Sequence, residues 1–143
     1  MAVKKTRIIL DTNWYVSATI NKKSRRVLYK LLTNQNLIIL FSDEILAEYK
    51  QVIARDKFKK IINIKQVTRF MNLVMSKLEI TKIKTTLAGS RDTKDNFLLS
   101  LSHDGHADYL VTGDADLLVL QKTGSTYIVT LGEFLEIVPA NRA

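Results

Sequence analysis

Apolar residues along this chain alternate between two rhythms. Short unbroken runs, Arg7-Ile8-Ile9-Leu10-Asp11 and Leu37-Ile38-Ile39-Leu40-Phe41, have the length and β-branching of strands buried on both faces. Between them, Val27, Leu28, Leu31 and Leu32 repeat at helical spacing and predict a helix over 24–33 capped by Ser24. Residues 12–23 read as a connecting loop. Ser42-Asp43-Glu44 opens the next helix, with a hydroxyl cap and two acids suited to its positive end, and its core face is Ile45, Leu46, Tyr49, Val52 and Ile53. A basic helical hairpin is expected over 57–78, its second arm burying Val67, Phe70, Met71, Val74 and Leu78.

A short strand near 80–83 follows, then a polar loop ending Ser90-Arg91-Asp92-Thr93. Thr93 caps a helix over 94–104, which Gly105 stops in a left-handed turn. The remaining elements are a strand at 109–112, a short helix near 115–121, a strand near 127–130 and a helix near 132–137. Strands alternating with helices argue for βαβ units around a mostly parallel sheet, an α/β fold. No repeat or Gly/Ser linker divides the chain. One domain is expected over 1–138, with 139–143, opened by the single proline, as a frayed tail.

Composition narrows the chemistry. The 143 residues include no cysteine, which excludes a disulfide framework and a thiolate metal site or nucleophile. No apolar run approaches the roughly 18–20 residues of a membrane span, and no signal peptide is evident. A soluble, cytoplasmic protein is expected. The net charge of +8 is uneven: residues 1–86 carry 18 Lys/Arg against 6 Asp/Glu, and residues 87–143 carry 4 against 8. A cationic body around an acidic crevice suits an enzyme that acts on a polyanion.

The acids that matter sit beside apolar runs. Asp11 ends the first strand and Asp114 follows Tyr109-Leu110-Val111-Thr112-Gly113, at carboxyl ends of strands, where open α/β sheets bind ligands. Glu48 lies three residues after Ile45 on a core-facing stripe, and Asp95 falls in the first turn of its helix. Each could be a turn, cap or dipole residue alone. Gathered together they would repel one another unless cations intervened, and hard divalent cations favour such all-oxygen sites.

These residues resemble the PIN domain family. The resemblance rests on Ile8-Ile9-Leu10-Asp11-Thr12-Asn13, Ser42 to Glu48, Arg91-Asp92-Thr93-Lys94-Asp95-Asn96 and Ala107 to Asp116, in order across about residues 7–135. It is nearest to the VapC-like toxins of toxin–antitoxin pairs. It implies a three-layer α/β/α fold and an endoribonuclease dependent on Mg²⁺ or Mn²⁺. Asp11, Glu48, Asp95 and Asp114 would be the acidic quartet, Asp116 an auxiliary acid, and Thr12, Asn13 and Asp92 supporting residues. Thr93 departs from the proline common there in close relatives. A small antitoxin that covers the crevice and a homodimer are further implications.

Other features receive smaller roles. His103 and His106 suit interaction with carbonyls at a helix end better than a zinc site. Trp14 and Tyr15 could stack on a base, but packing under the Asp11 loop or at a subunit contact is the plainer reading. Arg25, Arg26, Lys57, Lys59, Lys60 and Arg69 form the basic segments expected to meet an RNA backbone. No phosphate-binding glycine loop is present. The competing function is a non-catalytic RNA-binding or protein-interaction module on the same fold.

Overall fold

The computed structural model describes residues 4–87, 89 and 95–138. Strand β1 (Thr6–Leu10) leads into helices α1 (Thr12–Ile20) and α2 (Lys22–Leu32), followed by β2 (Leu37–Phe41) and α3 (Asp43–Ile53). A single 3-10 turn at Asp56–Phe58 precedes α4 (Ile64–Met75) and β3 (Glu79–Ile80). Then come α5 (Asn96–Asp104), β4 (Tyr109–Val111), α6 (Ala115–Leu118), β5 (Lys122–Thr123), β6 (Thr126–Val129) and α7 (Leu131–Ile137). The six strands form one sheet in the order β3-β2-β1-β4-β6-β5, parallel except for β5 against β6.

That order places the site. From β1 the chain steps outward through β2 to β3, then returns across the sheet to β4 on the other flank of β1. Right-handed crossovers in opposite directions put α1–α4 on one face and α5 and α6 on the other. The connections therefore diverge between β1 and β4, which is where doubly wound sheets open a crevice beyond their carboxyl ends.

Central strands form the core. Ile8, Ile9, Leu10, Leu40, Phe41, Leu110 and Val111 are essentially inaccessible, with Tyr15, Tyr49, Ile45, Leu101 and Phe134 packed over them. Each such aliphatic side chain contributes roughly 1.5–3 kcal/mol on burial. Three in a row at Ile8-Ile9-Leu10 can carry the adjacent charged residue, whose burial costs several kcal/mol.

Several sequence expectations need correction. Residues 12–20 are a helix, not a loop, capped by Asp11, whose side chain accepts from Asn13 N. The cap of α2 is Asn21 rather than Ser24, because Asn21 Oδ1 accepts from both Lys23 N and Ser24 N. The first arm of the expected hairpin shrinks to one 3-10 turn, and β5 is an added strand. Thr93 and residues 139–143 lie outside the described residues. Asp95 occupies the cap position of α5.

Gly105 does not turn left-handed; its backbone is right-handed helical, and the left-handed residue is His106 (φ 52°). The glycine is there for proximity. A Cβ at 105 would stand 2.5 Å from Leu40 Cδ1 and 3.0 Å from the Leu101 carbonyl oxygen, so α5 ends in direct contact with β2. Gly105→Ala is expected to cost about 1–3 kcal/mol by overpacking. Gly113→Ala, where a Cβ meets nothing within 4 Å, should stay within about 0.5 kcal/mol of wild type. Urea unfolding of both variants checks the contrast, and equal losses would contradict it.

Candidate active site

Asp11 is the buried acid of the crevice, at 5% exposure. Its Oδ1 accepts from Asn13 N at 2.8 Å, an N-cap bond at the positive end of α1. Its Oδ2 accepts a short hydrogen bond from the Thr112 hydroxyl just beyond β4. The Thr112 oxygen in turn accepts from Asp114 N at 3.0 Å, and Asp114 Oδ1 accepts from Asp116 N at 2.9 Å, capping α6. One buried hydroxyl thus ties the acid ending β1 to the acid following β4. The motif Thr112-Gly113-Asp114 contained it, but sequence reasoning used only the aspartate.

Burial pushes the Asp11 carboxyl above its ordinary value. The Thr112 and Asn13 hydrogen bonds pull it back, and the negative charges of Glu48 and Asp114 push it further up. Those two charges show which predicted acids gather: α3 brings half-buried Glu48 to Asp11 across the face of the sheet, and the β4–α6 turn brings half-buried Asp114. Asp95 stands half-buried before α5, with its Oδ2 shielded from solvent. Asp116 is half-buried in the first turn of α6. Asp92 lies outside the described residues.

The hydroxyls of Thr12 and Tyr15, both within 2% of full burial, flank Asp11 with no hydrogen-bond partner among the described residues. Burial, then the Asp11 charge, holds the Tyr15 phenol well above its usual pKa, so it stays protonated. Tyr15 packs edge-on against Phe41 at 5.3 Å. It is a core residue, as the plainer reading expected. Asn13 contributes its backbone N–H while the residue itself is exposed.

Donor chemistry fits a hard divalent cation: Asp11, Glu48, Asp114 and Asp95 offer only oxygen, and the repulsion of Asp11 by Glu48 and Asp114 would fall on binding one. Among the described residues no three acidic or histidine side chains close into a cation-holding group as they stand. The gathering is electrostatic rather than a finished cage.

The basic residues divide. Arg25 turns inward: its guanidinium donates to the Ala18 and Thr19 carbonyls at 2.8 and 2.9 Å, ending α1, and lies 5.9 Å from the Phe70 ring centre. Arg25 thus has a role in the fold, at the α1–α2 corner. Arg26, Lys57, Lys59, Lys60 and Arg69 are exposed. Lys59 pairs at 2.9 Å with exposed Asp56, an arrangement worth little in water. His103 and His106 are both exposed.

The sequence model of the PIN domain family matches residues 7–116, a span that contains every acid of the crevice. The chain belongs to the PIN domain family. PIN domains are generally nucleases and typically use divalent metals, which at a coarse level makes the chain a hydrolase of nucleic acids. The fold is similar to a chain of VapBC2 from Rickettsia felis, solved bound to a DNA fragment from their promoter. That match has 20% identity, covers 86% of this chain and 97% of the other, and has a TM-score of 0.56. It is also similar to PAE2754 from Pyrobaculum aerophilum, with 14% identity, 93% and 89% coverage and a TM-score of 0.60. No curated protein matches the sequence. Among the described residues of this PIN domain no helix is long and apolar enough to cross a membrane.

A carboxyl whose folded pKa is raised favours the native state while protonated and loses that advantage as pH rises through the folded value. Once ionised, Asp11 is therefore a destabilising charge in cation-free protein. Asp11→Asn, nearly isosteric, should melt above wild type in EDTA wherever the wild-type carboxyl is ionised. The gain should shrink as pH falls through the raised Asp11 pKa. Thermal melts across pH measure this, and a variant that melts below wild type at every pH would contradict the burial penalty.

Proposed function

We propose that this PIN domain is a Mg²⁺- or Mn²⁺-dependent endoribonuclease and the toxin of a toxin–antitoxin pair, working in the cytoplasm. The observation that carries the reading is the buried Asp11 carboxyl at the sheet's switch point, its pKa raised by burial and further by the charges of Glu48 and Asp114. A fold has no use for three mutually repelling carboxylates there unless a cation and a phosphate meet them. The likeness to VapBC2 motivates the toxin assignment, with a small antitoxin covering the crevice and a homodimer as partners.

Asp11, Glu48, Asp95 and Asp114 would hold the cation, with Asp116 as an auxiliary acid. When bound, the cation supplies the positive charge that acidifies water and offsets charge building on the phosphate. Thr112 and Asn13 N fix both oxygens of Asp11, so its ligand direction is set before substrate arrives. Thr12 and Asp92 support the site. Exposed Arg26, Lys57, Lys59, Lys60 and Arg69 hold the RNA backbone, which makes binding fall with salt. Hydrolysis by water rather than by the 2′-hydroxyl leaves 5′-phosphate and 3′-hydroxyl ends.

Cleavage of labelled tRNA, ribosomal and messenger RNA with Mg²⁺, Mn²⁺ or EDTA tests the reading. Wild-type cutting should need the cation, and Glu48→Gln, Asp95→Asn or Asp114→Asn should each lose on the order of 100-fold or more. Cutting that survives EDTA and leaves a cyclic phosphate contradicts the mechanism. No cutting of any RNA class, with no cation binding, favours the non-catalytic module.

A further inference from the structure

A cavity of about 200 Å³ opens between α2 and α7, beside the acids but apart from them. Leu10, Trp14, Val27, Leu28 and Leu131 line it, with the exposed Lys23 among its walls. Leu10 and Leu28 are almost fully buried, while Trp14 and Val27 are half-buried. At this volume it lies below the ~300–1,000 Å³ of sites for drug-sized ligands, which limits it to one ring-sized group.

Its connection to the acids is direct. The Trp14 indole N–H donates to the Val111 carbonyl at 3.2 Å, and the same carbonyl accepts from Asp11 N at 3.1 Å. Leu10 precedes Asp11 in the chain, and Trp14 lies on the first turn of α1, which Asp11 caps. The wall of the cavity and the buried carboxylate are therefore hung from one backbone oxygen. With its only polar hydrogen so engaged, the indole keeps a fixed ring plane and offers only apolar surface.

Resting on the nuclease reading, we propose that this cavity receives one base of the RNA, on a nucleotide adjoining the bond to be cut. Leu10 and Trp14 flank Asp11 in the chain, so the base next to a phosphate at the acids is the part of the RNA placed to meet this wall. An aromatic face and aliphatic walls bind any base by stacking and apolar contact, without hydrogen-bond readout. Lys23 brings an ammonium to the same cavity, suited to the phosphate on the far side of that base. The aliphatic walls would also fit an apolar side chain of a protein partner, but such a side chain gains nothing from the adjoining cation.

Trp14 is the only tryptophan in the chain, so intrinsic fluorescence reports on this wall alone. Titration in EDTA with AMP, GMP, CMP and UMP is expected to quench it saturably for at least one nucleotide. Leu131→Phe and, independently, Val27→Phe fill the cavity and should weaken that response about tenfold or more. Each variant's unliganded emission and melting curve show that it has folded.

In parallel, single-stranded RNA carrying one abasic residue at successive positions is digested with Mn²⁺. Removal of the base at one position beside the cut should lower kcat/KM about tenfold, with smaller effects elsewhere. Cutting indifferent to every abasic position, with no quenching, overturns the base site and leaves the nuclease reading standing. Quenching that both cavity-filling variants leave unchanged also overturns it. Quenching lost in those variants, with no RNA cut under any condition, supports the base site while the nuclease reading fails.

Discussion

The hydrogen bond from Thr112 to Asp11 joins the tips of β1 and β4, the two strands between which the chain changes direction across the sheet. A carboxylate placed there is expensive. It is nearly inaccessible, and it faces two other carboxylates across a crevice that the fold cannot close. The bond makes the placement tolerable, because each oxygen of Asp11 receives a donor and the Thr112 oxygen also orients the turn to Asp114. Geometry at the switch point is fixed by a few short bonds, and the charge left over has the sign that a cation would offset. The hydrophobic face of β1 supplies the stability that lets such a group persist.

The remainder of the chain serves this arrangement at longer range. Asp104, at the end of α5, accepts from Lys84 N, Thr85 N and the Thr85 hydroxyl, which holds its pKa down to about 2. The Ser100 hydroxyl accepts from Leu87 N. Together they fasten residues 84–87 along α5, the helix that Asp95 precedes. Arg7 donates to Glu79 and to the Gly105 carbonyl, tying β1 to β3 and to the end of α5. Arg25 closes the α1–α2 corner. These polar ties fasten the elements to one another, and the packed strands form the core.

Legibility in the sequence followed periodicity. The strands Thr6–Leu10 and Leu37–Phe41 and the helix Asp43–Ile53 were readable because each shows an unbroken apolar run or a clear stripe with its cap. Helix α1 was not. Thr12, Tyr15, Val16 and Ala18 are buried around much of its circumference, so no stripe appears, and its β-branched residues mimic a strand or loop. Its cap, Asp11, was already claimed by the site, and one residue does both jobs. Gly105 looked like a stop signal, yet its reason is tertiary, a contact with Leu40 that no local pattern contains. The acids were legible by position at strand ends, and the resemblance to PIN domains supplied their grouping. Trp14 was legible as a ring that could stack on a base, but what fixes it was not, since its partner is the carbonyl of Val111, 97 residues away in sequence.

The central claim is that Asp11 is buried beside the charges of Glu48 and Asp114 to receive a divalent cation. Calorimetric titration of Mn²⁺ into metal-free protein, wild type beside Asp11→Asn, tests it without needing the right RNA. Saturable binding by wild type that the variant loses, while the variant remains folded, is the result the account predicts. Binding that is equally tight in both proteins, or absent from wild type, would contradict it.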